Sequence, residues 1–313
     1  MCYSGHRSNW NITEMAAVEI KLKKIEIKTT EKCNRKSGSC GAKCFSMHDD
    51  EGWEIADDAT TEQIIGMYDN ILKAGITVVN LNGGEFFLRK DAEELLRVGH
   101  EMGLKMAVAT NCDLLTAERL EKIAPYLTYL SISLDGGLKI NDQLRGEGHF
   151  ESAKRVIEAY DPKKHSFQLK VNTVLSAYNI NDPTLDDIPG LLAWKNAIWK
   201  FIQFTPRGAG KNVIDRYAIE AKVFEQKVVE MKQKYPEIYI CGRAFDVNDR
   251  PDTLIIRPNG EIRFNWLFDN PLVGNIFVDN LTDIICQVET TFSGFLATNA
   301  HEFGVCYKRG RQQ

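Results

Sequence analysis

The sequence lacks the long apolar runs, the repeats and the charge excess that would assign it to several broad classes of protein. No apolar run approaches the roughly 20 residues that a membrane-spanning helix needs, so we expect no membrane partner. Residues 1–14 lack the order of charged and then apolar residues that defines a secretory signal. Proteins that bind the phosphate backbone of a nucleic acid usually carry an excess of positive charge. The formal net charge here is −4, so we expect no nucleic-acid partner. These absences predict a cytoplasmic protein.

The composition is that of an ordinary folded chain. Of the 313 residues, 43% are hydrophobic and 26% are charged, which excludes an intrinsically disordered protein. No glycine repeat or heptad pattern is present, which excludes collagen-like and coiled-coil structures. The length suits one large domain, or one domain with a small addition.

The eight cysteines form a cluster of three and five scattered residues. Cys33, Cys40 and Cys44 fall within twelve residues; the others are Cys2, Cys112, Cys241, Cys286 and Cys306. A chain of this size with a substantial core does not need a disulfide framework. Three thiols that lie close together in a reduced protein indicate a metal site more often than a bridge.

Strand-like and helix-like segments alternate along most of the chain. The strand-like runs are 22–30, 76–84, 104–111, 127–136, 167–175 and 199–206, and the helix-like runs are 60–75, 90–103, 116–127 and 150–160. Such alternation predicts an α/β protein with a parallel sheet or an open barrel. Each strand ends in a polar or glycine-rich segment, and in parallel sheets functional groups gather at these carboxyl ends.

The pattern divides the chain into three parts. We predict an N-terminal extension over 1–21, a barrel over 22–235 and a small C-terminal addition over 236–313. Within the addition, the PNGE turn between the alternating runs of 253–266 predicts a β-hairpin.

Two metal centres compete for the cysteine loop. With His48, the spacing C-x6-C-x3-C-x3-H supplies the four ligands of a Cys3His zinc site. Cys33, Cys40 and Cys44 alone could instead hold a [4Fe–4S] cluster that leaves one iron open. Unligated thiols are disfavoured because the segment is rich in Gly, Lys and Ser and does not resemble a packed core. The loop by itself does not separate zinc from iron.

The order of segments after the loop resembles the radical S-adenosylmethionine superfamily. The similar segments are LNGGEFFLRKD (81–91), ATNCDLLTAERL (109–120), LSISLDG (130–136), NDQLRGEGHFESAKRVIEA (141–159), VNTVLSAYN (171–179) and FIQFTPRG (201–208). The closest pattern is that of the group with a molybdenum-cofactor-synthase-like core and a degenerate SPASM or twitch tail. The resemblance covers residues from about 22 to about 280 and implies a partial (β/α)6 parallel barrel with a small C-terminal β-hairpin/α addition.

The resemblance implies that Cys33, Cys40 and Cys44 bind a [4Fe–4S] cluster whose fourth iron binds S-adenosylmethionine. Reduction of the cluster would cleave the sulfonium and give a 5′-deoxyadenosyl radical that abstracts a substrate hydrogen. The loop departs from the family's common C-x3-C-x2-C spacing, and Phe86 stands where the family usually has proline.

The resemblance also implies a cofactor pocket. Its residues would be Phe45, Gly83, Gly84, Glu85, Asn111, Ser133, Asp135, Arg145 and Asn172. Glu85 is expected to receive the ammonium of the methionine moiety, and Arg145 is expected to pair with its carboxylate. Ser133 and Asp135, two positions apart, are expected to contact the ribose. The glycines would leave room for the methionine moiety.

The C-terminal addition resembles the start of a SPASM or twitch region. Asn265 stands where that region has a cluster-binding cysteine, so we expect no auxiliary cluster. Cys241 is then a candidate hydrogen-atom donor for an epimerisation, with Cys112 as the rival candidate. The alternative for Cys241 is a buried thiol without a chemical role.

The predicted function is radical chemistry in natural-product biosynthesis. Only 21 residues precede the first strand, which favours a small polar metabolite such as a sugar or aminocyclitol, changed by epimerisation or dehydrogenation. One alternative is a maturase that epimerises or cross-links a ribosomal peptide; another is a zinc-binding module without radical chemistry. The radical reaction implies a reducing partner such as flavodoxin or ferredoxin.

Overall fold

The computed structural model describes residues 22–35, 56–206, 213–244, 253–264 and 271–291. The strands are β1 Lys24–Lys28, β2 Val78–Asn82, β3 Lys105–Thr110, β4 Leu127–Ser133, β5 Gln168–Leu175, β6 Ile198–Gln203, β7 Tyr239–Arg243, β8 Leu254–Ile256, β9 Glu261–Phe264 and β10 Leu272–Asn275. The helices are α1 Thr61–Lys73, α2 Ala92–Glu101, α3 Ala117–Ile123, α4 Leu138–Arg145, α5 His149–Ala159, α6 Asp187–Leu192, α7 Ile214–Tyr217, α8 Ala221–Lys234 and α9 Leu281–Thr291.

One sheet contains all of these strands. Its order is β10-β9-β8-β1-β2-β3-β4-β5-β6-β7, and β1 to β7 pair in parallel. The predicted α/β architecture with a partial parallel barrel is therefore confirmed, and each of the six predicted strands and four predicted helices has its counterpart. The alternation of apolar and polar positions located these elements because each strand buries one face against helices.

The C-terminal elements extend this sheet at both edges. β7 pairs in parallel with β6, while β8 pairs in parallel with β1 and antiparallel with β9. The predicted hairpin is confirmed, and Gly260, with φ of +83°, allows the tight turn between its strands. Residue 235, which the sequence pattern predicts as the end of the barrel, lies between β6 and β7, and these two strands pair within the same sheet.

Capping residues fix where helices begin. The Thr60 side chain accepts a hydrogen bond from the backbone N–H of Gln63, and the Gln63 side chain accepts one from the Thr60 N–H. This capping box starts α1 at the residue after Thr60. Within the described ranges, no helix has the length and apolar character that crossing a bilayer requires.

The two faces of the parallel sheet differ in chemistry. The outer face, exemplified by Ile25, Val79 and Leu130, is fully buried in the core beneath the helices. The opposite face, called here the inner face, carries the alternate residues, which are polar and half-buried at most positions. Any small molecule held by the sheet would therefore meet the inner face or the carboxyl ends of the strands.

Candidate active site

Four of the predicted cofactor residues lie at the carboxyl ends of neighbouring strands. Glu85 follows β2, Asn111 follows β3, Ser133 ends β4, and Asn172 lies on β5 beside Ser133 in the register of the sheet. Parallel pairing brings these ends to one edge of the sheet. The structure thus places on one edge of the sheet residues that are separated by up to 87 positions in the chain.

The glycine segment after β2 packs directly against the start of the cysteine loop. The N–H groups of Gly84 and Glu85 donate to the carbonyl oxygens of Thr30 and Lys32, each over 2.9 Å. A Cβ atom added at Gly84 would lie 2.1 Å from the Lys32 carbonyl oxygen. The missing side chain therefore allows contact between two protein segments, a role that the sequence did not reveal.

Glu85 is a buried carboxylate with three protein donors. Its Oε1 accepts from the Phe87 N–H over 3.0 Å and from the Thr110 hydroxyl over 2.9 Å, and its Oε2 accepts from the Asn111 N–H over 2.7 Å. Burial raises the pKa of Glu85 in spite of these bonds. The side chain ties the ends of β2 and β3 together, and a bound ammonium would have to share oxygens that already accept hydrogen bonds.

Asp135 and Arg145 pair with each other. The Arg145 Nε lies 2.6 Å from the Asp135 Oδ2, and both side chains are buried. The Asp135 Oδ1 also accepts a hydrogen bond from the Val174 N–H over 2.8 Å. The resemblance assigned these two residues to the ribose and to the methionine carboxylate separately. Their pairing means that either contact with a cofactor would be made by one ion pair and not by two independent groups.

Asn172 carries an unsatisfied acceptor at this edge. Its Oδ1 is buried, and no donor among the described residues forms a hydrogen bond with it. Because an orphaned buried carbonyl oxygen is costly, the position suits a ligand that brings a hydroxyl or amine donor. S-adenosylmethionine has such donors on its ribose and adenine, so the residues present fit the cofactor that the fold family implies. Ser133, the register neighbour of Asn172, would lie next to the same group.

Cys33 lies at the open side of this edge, five residues after β1, and is exposed. The Arg35 N–H donates to its Sγ over 3.4 Å, and the Asn111 Nδ2 lies 3.9 Å from the same atom. Donors to a sulfur favour its thiolate form, which is the form that binds iron. Cys40, Cys44, Phe45 and His48 lie outside the described residues.

Arg35 is a site residue that the sequence analysis missed. Its guanidinium pairs with the Asp113 carboxylate over 2.6 Å and donates over 3.1 Å to each of the carbonyl oxygens of Arg145 and Gly146. It therefore joins the cysteine loop to the end of β3 and to the end of α4. A lone arginine in a polar loop carries no pattern that would have singled it out.

The two candidate hydrogen donors occupy different environments. Cys112 is buried in the core, and burial raises the pKa of its thiol well above the ordinary value. Cys241 lies on the inner face, in register with Lys200 of β6, and its sulfur forms a disulfide bond. A disulfide sulfur has no hydrogen to donate, so the prediction for Cys241 concerns its reduced form and stays a prediction.

His149 forms a buried polar network behind the Asp135–Arg145 pair. Asn141 donates to the His149 Nδ1 over 3.0 Å and accepts from the Asp135 N–H over the same distance. Burial, with the nearby charges of Arg145 and Arg35, lowers the pKa of His149 to about 2. The imidazole is therefore neutral in the folded protein at every pH at which the chain is handled.

This environment predicts a loss of stability in weak acid. The unfolded chain takes up a proton at His149 below pH 6.5, whereas the folded chain does not, so the free energy of unfolding falls as the pH is lowered. By pH 5 the loss from this residue is about 2 kcal/mol. Urea unfolding of the wild type and of His149→Asn, each at pH 7 and at pH 5, measures this fall in the free energy of unfolding. An equal loss in both proteins would contradict the assignment.

The arrangement defines a partial (β/α) barrel with a cysteine loop after its first strand and a glycine–carboxylate segment after its second. A family model described as the radical SAM superfamily matches residues 27–187, and the chain belongs to that superfamily. Members use a [4Fe–4S] cluster and S-adenosylmethionine.

Two proteins illustrate the similarity of this chain to its relatives. Fe-coproporphyrin III synthase of Methanosarcina barkeri is 30% identical over 164 residues, which are 52% of this chain and 38% of that protein. The subtilosin biosynthesis protein AlbA of Bacillus subtilis is 26% identical over 258 residues, 78% of this chain and 57% of that protein. The chain thus spans less than two thirds of the length of either relative.

Solved structures confirm the fold. Streptococcus suis SuiB bound to its precursor peptide SuiA superposes with a TM-score of 0.62 at 14% identity, over 84% of this chain and 64% of that chain. At this level of identity the likeness concerns the fold alone.

Proposed function

We propose that the chain is a radical enzyme that cleaves S-adenosylmethionine and abstracts a hydrogen atom from a peptide substrate. The orphaned Oδ1 of Asn172 at the strand ends, beside Ser133, carries the cofactor part of this proposal. When bound, the cluster would supply the one electron that reductive cleavage of S-adenosylmethionine needs. The products would be methionine and, after abstraction of a hydrogen atom from a substrate C–H bond, 5′-deoxyadenosine.

The chain's own residues prepare the site. Cys33, together with Cys40 and Cys44, would hold three irons, with Arg35 and Asn111 placed as donors to the Cys33 sulfur. The Asp135–Arg145 ion pair lies just after the end of β4, where it would contact the cofactor. A reducing partner such as flavodoxin or ferredoxin would supply the electron, and we expect this reaction to take place in the cytoplasm.

A peptide is favoured over a small metabolite because of the relatives. AlbA takes part in bacteriocin biosynthesis and matches 78% of this chain, and the SuiB structure holds a precursor peptide. The outcome of the reaction, whether epimerisation, dehydrogenation or cross-linking, depends on the groups that meet the substrate radical. We propose the reduced Cys241 as the hydrogen donor of an epimerisation.

Anaerobic reconstitution tests the proposed function. We expect about four irons and four sulfides per chain, and 5′-deoxyadenosine together with methionine after reduction in the presence of S-adenosylmethionine. Cys33→Ala should abolish both the formation of 5′-deoxyadenosine and the binding of the cluster, because it removes one of the three cluster ligands. Cys286→Ala, at a cysteine of α9 outside the site, is the matched control and should retain both.

Zinc without iron at the cysteine loop would overturn the proposal in favour of a zinc-binding module. The substrate class is tested with the same enzyme. Peptide fractions of a cell extract should raise the rate of 5′-deoxyadenosine formation, whereas a response only to the small-metabolite fraction would replace the peptide by a small polar substrate.

A further inference from the structure

Exposed apolar side chains lie in several loops at the carboxyl edge of the sheet, which is the edge that carries the candidate site. Large apolar side chains with exposed fractions of 39% to 52% follow four of the parallel strands: Leu88 after β2, Leu138 after β4, Tyr178 after β5 and Ile214 after β6. Parallel pairing brings the carboxyl ends of these strands, and with them the loops, to one edge. Apolar groups exposed around a site indicate that the site binds an apolar partner.

Tyr178 is the outermost ring of a stacked series at the ends of β5 and β6. The ring centres of Tyr178 and Tyr217 are 4.7 Å apart, those of Tyr217 and Phe204 are 5.6 Å apart, and each pair of planes is inclined by 29°. Phe204 is buried directly after β6, Tyr217 is half-buried at the end of α7, and Tyr178 is 41% exposed. The series therefore runs from the core to the solvent, with the spacing that offset aromatic pairs prefer.

Arg216 holds the hydroxyl end of the Tyr178 ring. Its Nη2 donates to the Tyr178 hydroxyl oxygen over 2.6 Å, and its guanidinium carbon lies 5.9 Å from the ring centre. These two distances together place the guanidinium beyond the hydroxyl and not above the middle of the ring. Because Tyr217 covers one face of the ring, the exposed surface of Tyr178 is on the side turned away from Tyr217.

The turn that carries Tyr178 is fixed to the candidate site. The Asn179 Nδ2 donates over 2.8 Å to the carbonyl oxygen of Asp135 and over the same distance to that of Val174, and its Oδ1 accepts from the Ser176 N–H over 2.8 Å. Asp135 is the carboxylate of the buried ion pair at the end of β4. The exposed face of Tyr178 is therefore presented by a turn that hydrogen bonds join to the ends of β4 and β5.

The same turn is joined to α7. The Ala177 N–H donates to the Tyr217 carbonyl oxygen over 3.0 Å, so that the backbones of the two segments, and not only their rings, are in contact. A tyrosine held in this way offers a large, rigid contact surface and loses little conformational entropy when a ligand binds to it.

We propose that the exposed face of Tyr178 binds an aromatic side chain of the peptide substrate. A substrate ring on that face would extend the series of Phe204, Tyr217 and Tyr178 by one member, with the attraction between ring faces and edges that aromatic pairs gain beyond apolar burial. The inference rests on the proposed function, which it deepens by requiring a peptide that contains an aromatic residue.

Saturation-transfer NMR on the anaerobic, S-adenosylmethionine-loaded holoenzyme tests the site with two capped pentapeptides. One has phenylalanine between two pairs of glycines, and the other has cyclohexylalanine in its place, which is apolar but not aromatic. We expect the wild type to bind the phenylalanine peptide more tightly than the cyclohexylalanine peptide. Tyr178→Leu should weaken the binding of the phenylalanine peptide about two- to tenfold, because the leucine side chain has no ring face.

Two further variants separate the ring from the fold. Tyr178→Phe should retain the affinity for the phenylalanine peptide because it keeps the ring and removes only the hydroxyl that Arg216 holds. Tyr126→Leu is the matched control, since it removes a half-buried tyrosine directly before β4, at the opposite edge of the sheet. This control should bind the peptide as the wild type does.

Three results would overturn the proposal. The first is equal affinity of the wild type and Tyr178→Leu for the phenylalanine peptide, or no binding of this peptide to the wild type at millimolar concentration. The second is equal affinity of the wild type for the two peptides, since the site would then not recognise an aromatic ring. The third is a loss of S-adenosylmethionine affinity in Tyr178→Leu in place of peptide affinity, because the ring would then serve the cofactor.

The same preparation separates this inference from the proposed function. If reduction yields 5′-deoxyadenosine but the phenylalanine peptide does not bind, the aromatic site alone is wrong. If the peptide binds through Tyr178 but no 5′-deoxyadenosine forms, the radical function is wrong and the aromatic site stands.

Discussion

Arg257→Met is expected to lower the free energy of unfolding by about 3–5 kcal/mol, because it leaves a buried carboxylate without its cation. The Arg257 Nε donates to the Glu31 Oε1 over 2.8 Å, and its Nη2 donates to the Glu31 Oε2 over 3.0 Å. Both residues are buried, with exposed fractions of 4% and 3%. Burial by itself would raise the pKa of Glu31, but the hydrogen bonds from Arg257 and from the Ala56 N–H, together with the charges of Arg257 and Lys28, lower that pKa.

The pair also closes the base of the cysteine loop. The Glu31 Oε2 accepts a hydrogen bond from the Ala56 N–H over 2.8 Å, which joins the residues on either side of the loop. Arg257 comes from the turn of the C-terminal hairpin, where its Nη1 also contacts Glu261 over 2.8 Å. Loss of Arg257 should therefore lower the iron content of the reconstituted protein as well as its stability.

A double variant separates the buried charge from a general defect in packing. Glu31→Gln removes the charge and still offers a carbonyl oxygen to the Ala56 N–H. We expect it to destabilise the wild type but to stabilise the Arg257→Met protein, so that its effect changes sign. Chemical unfolding of the four proteins measures the cycle. If Glu31→Gln destabilises both backgrounds equally, the ion pair does not carry the effect.

Gly84→Ala is expected to remove most of the bound iron. The added Cβ would lie 2.1 Å from the oxygen and 2.4 Å from the carbon of the Lys32 carbonyl, and 2.9 Å from the Cys33 nitrogen. These are backbone atoms, so relief requires the cysteine loop to move away from β2. That movement would break the hydrogen bond from the Glu85 N–H to the Lys32 oxygen and displace the first cysteine.

Gly66→Ala is the matched control for this variant. Gly66 lies within α1 and is exposed, and an added Cβ would have no atom of another described segment within 4 Å. The same substitution there should stabilise the protein by about 0.5–1 kcal/mol, since alanine is the better helix former. Iron analysis and thermal unfolding of both variants provide the comparison. A Gly84→Ala protein with the wild-type iron content would show that the close contact does not position Cys33.

The fold was largely predictable because strands that bury one face produce a regular alternation of apolar and polar residues in the sequence. β5 alternates half-buried and buried residues along its whole length, and α1 is bounded by a Thr cap and the Ala74–Gly75 turn. The part of the site that follows the strands was predictable for the same reason. Glu85 follows β2 and Ser133 ends β4, and the parallel topology brings both strand ends to one edge of the sheet.

The contacts that hold the site together were not predictable. Glu31 and Arg257 are 226 residues apart, and no pattern in either segment indicates that the two side chains meet. The pairing of Asp135 with Arg145 also depends on the direction that each side chain takes at the end of its element. Gly84 was identified as a site residue, but its contact with Lys32 depends on how two loops approach each other, which a local pattern does not contain.

The pairing of β1 with the C-terminal hairpin has a consequence for the order of events during synthesis. β1 emerges from the ribosome early, but β8 and Arg257 follow more than two hundred residues later. At typical elongation rates of about 5–20 residues per second, the interval is about 10–50 s. Throughout that time Glu31 has no arginine beside it and the base of the cysteine loop is incomplete. The cysteines of the loop are therefore synthesised well before the fold can hold them in place. We expect stable insertion of a metal centre to follow the synthesis of the hairpin.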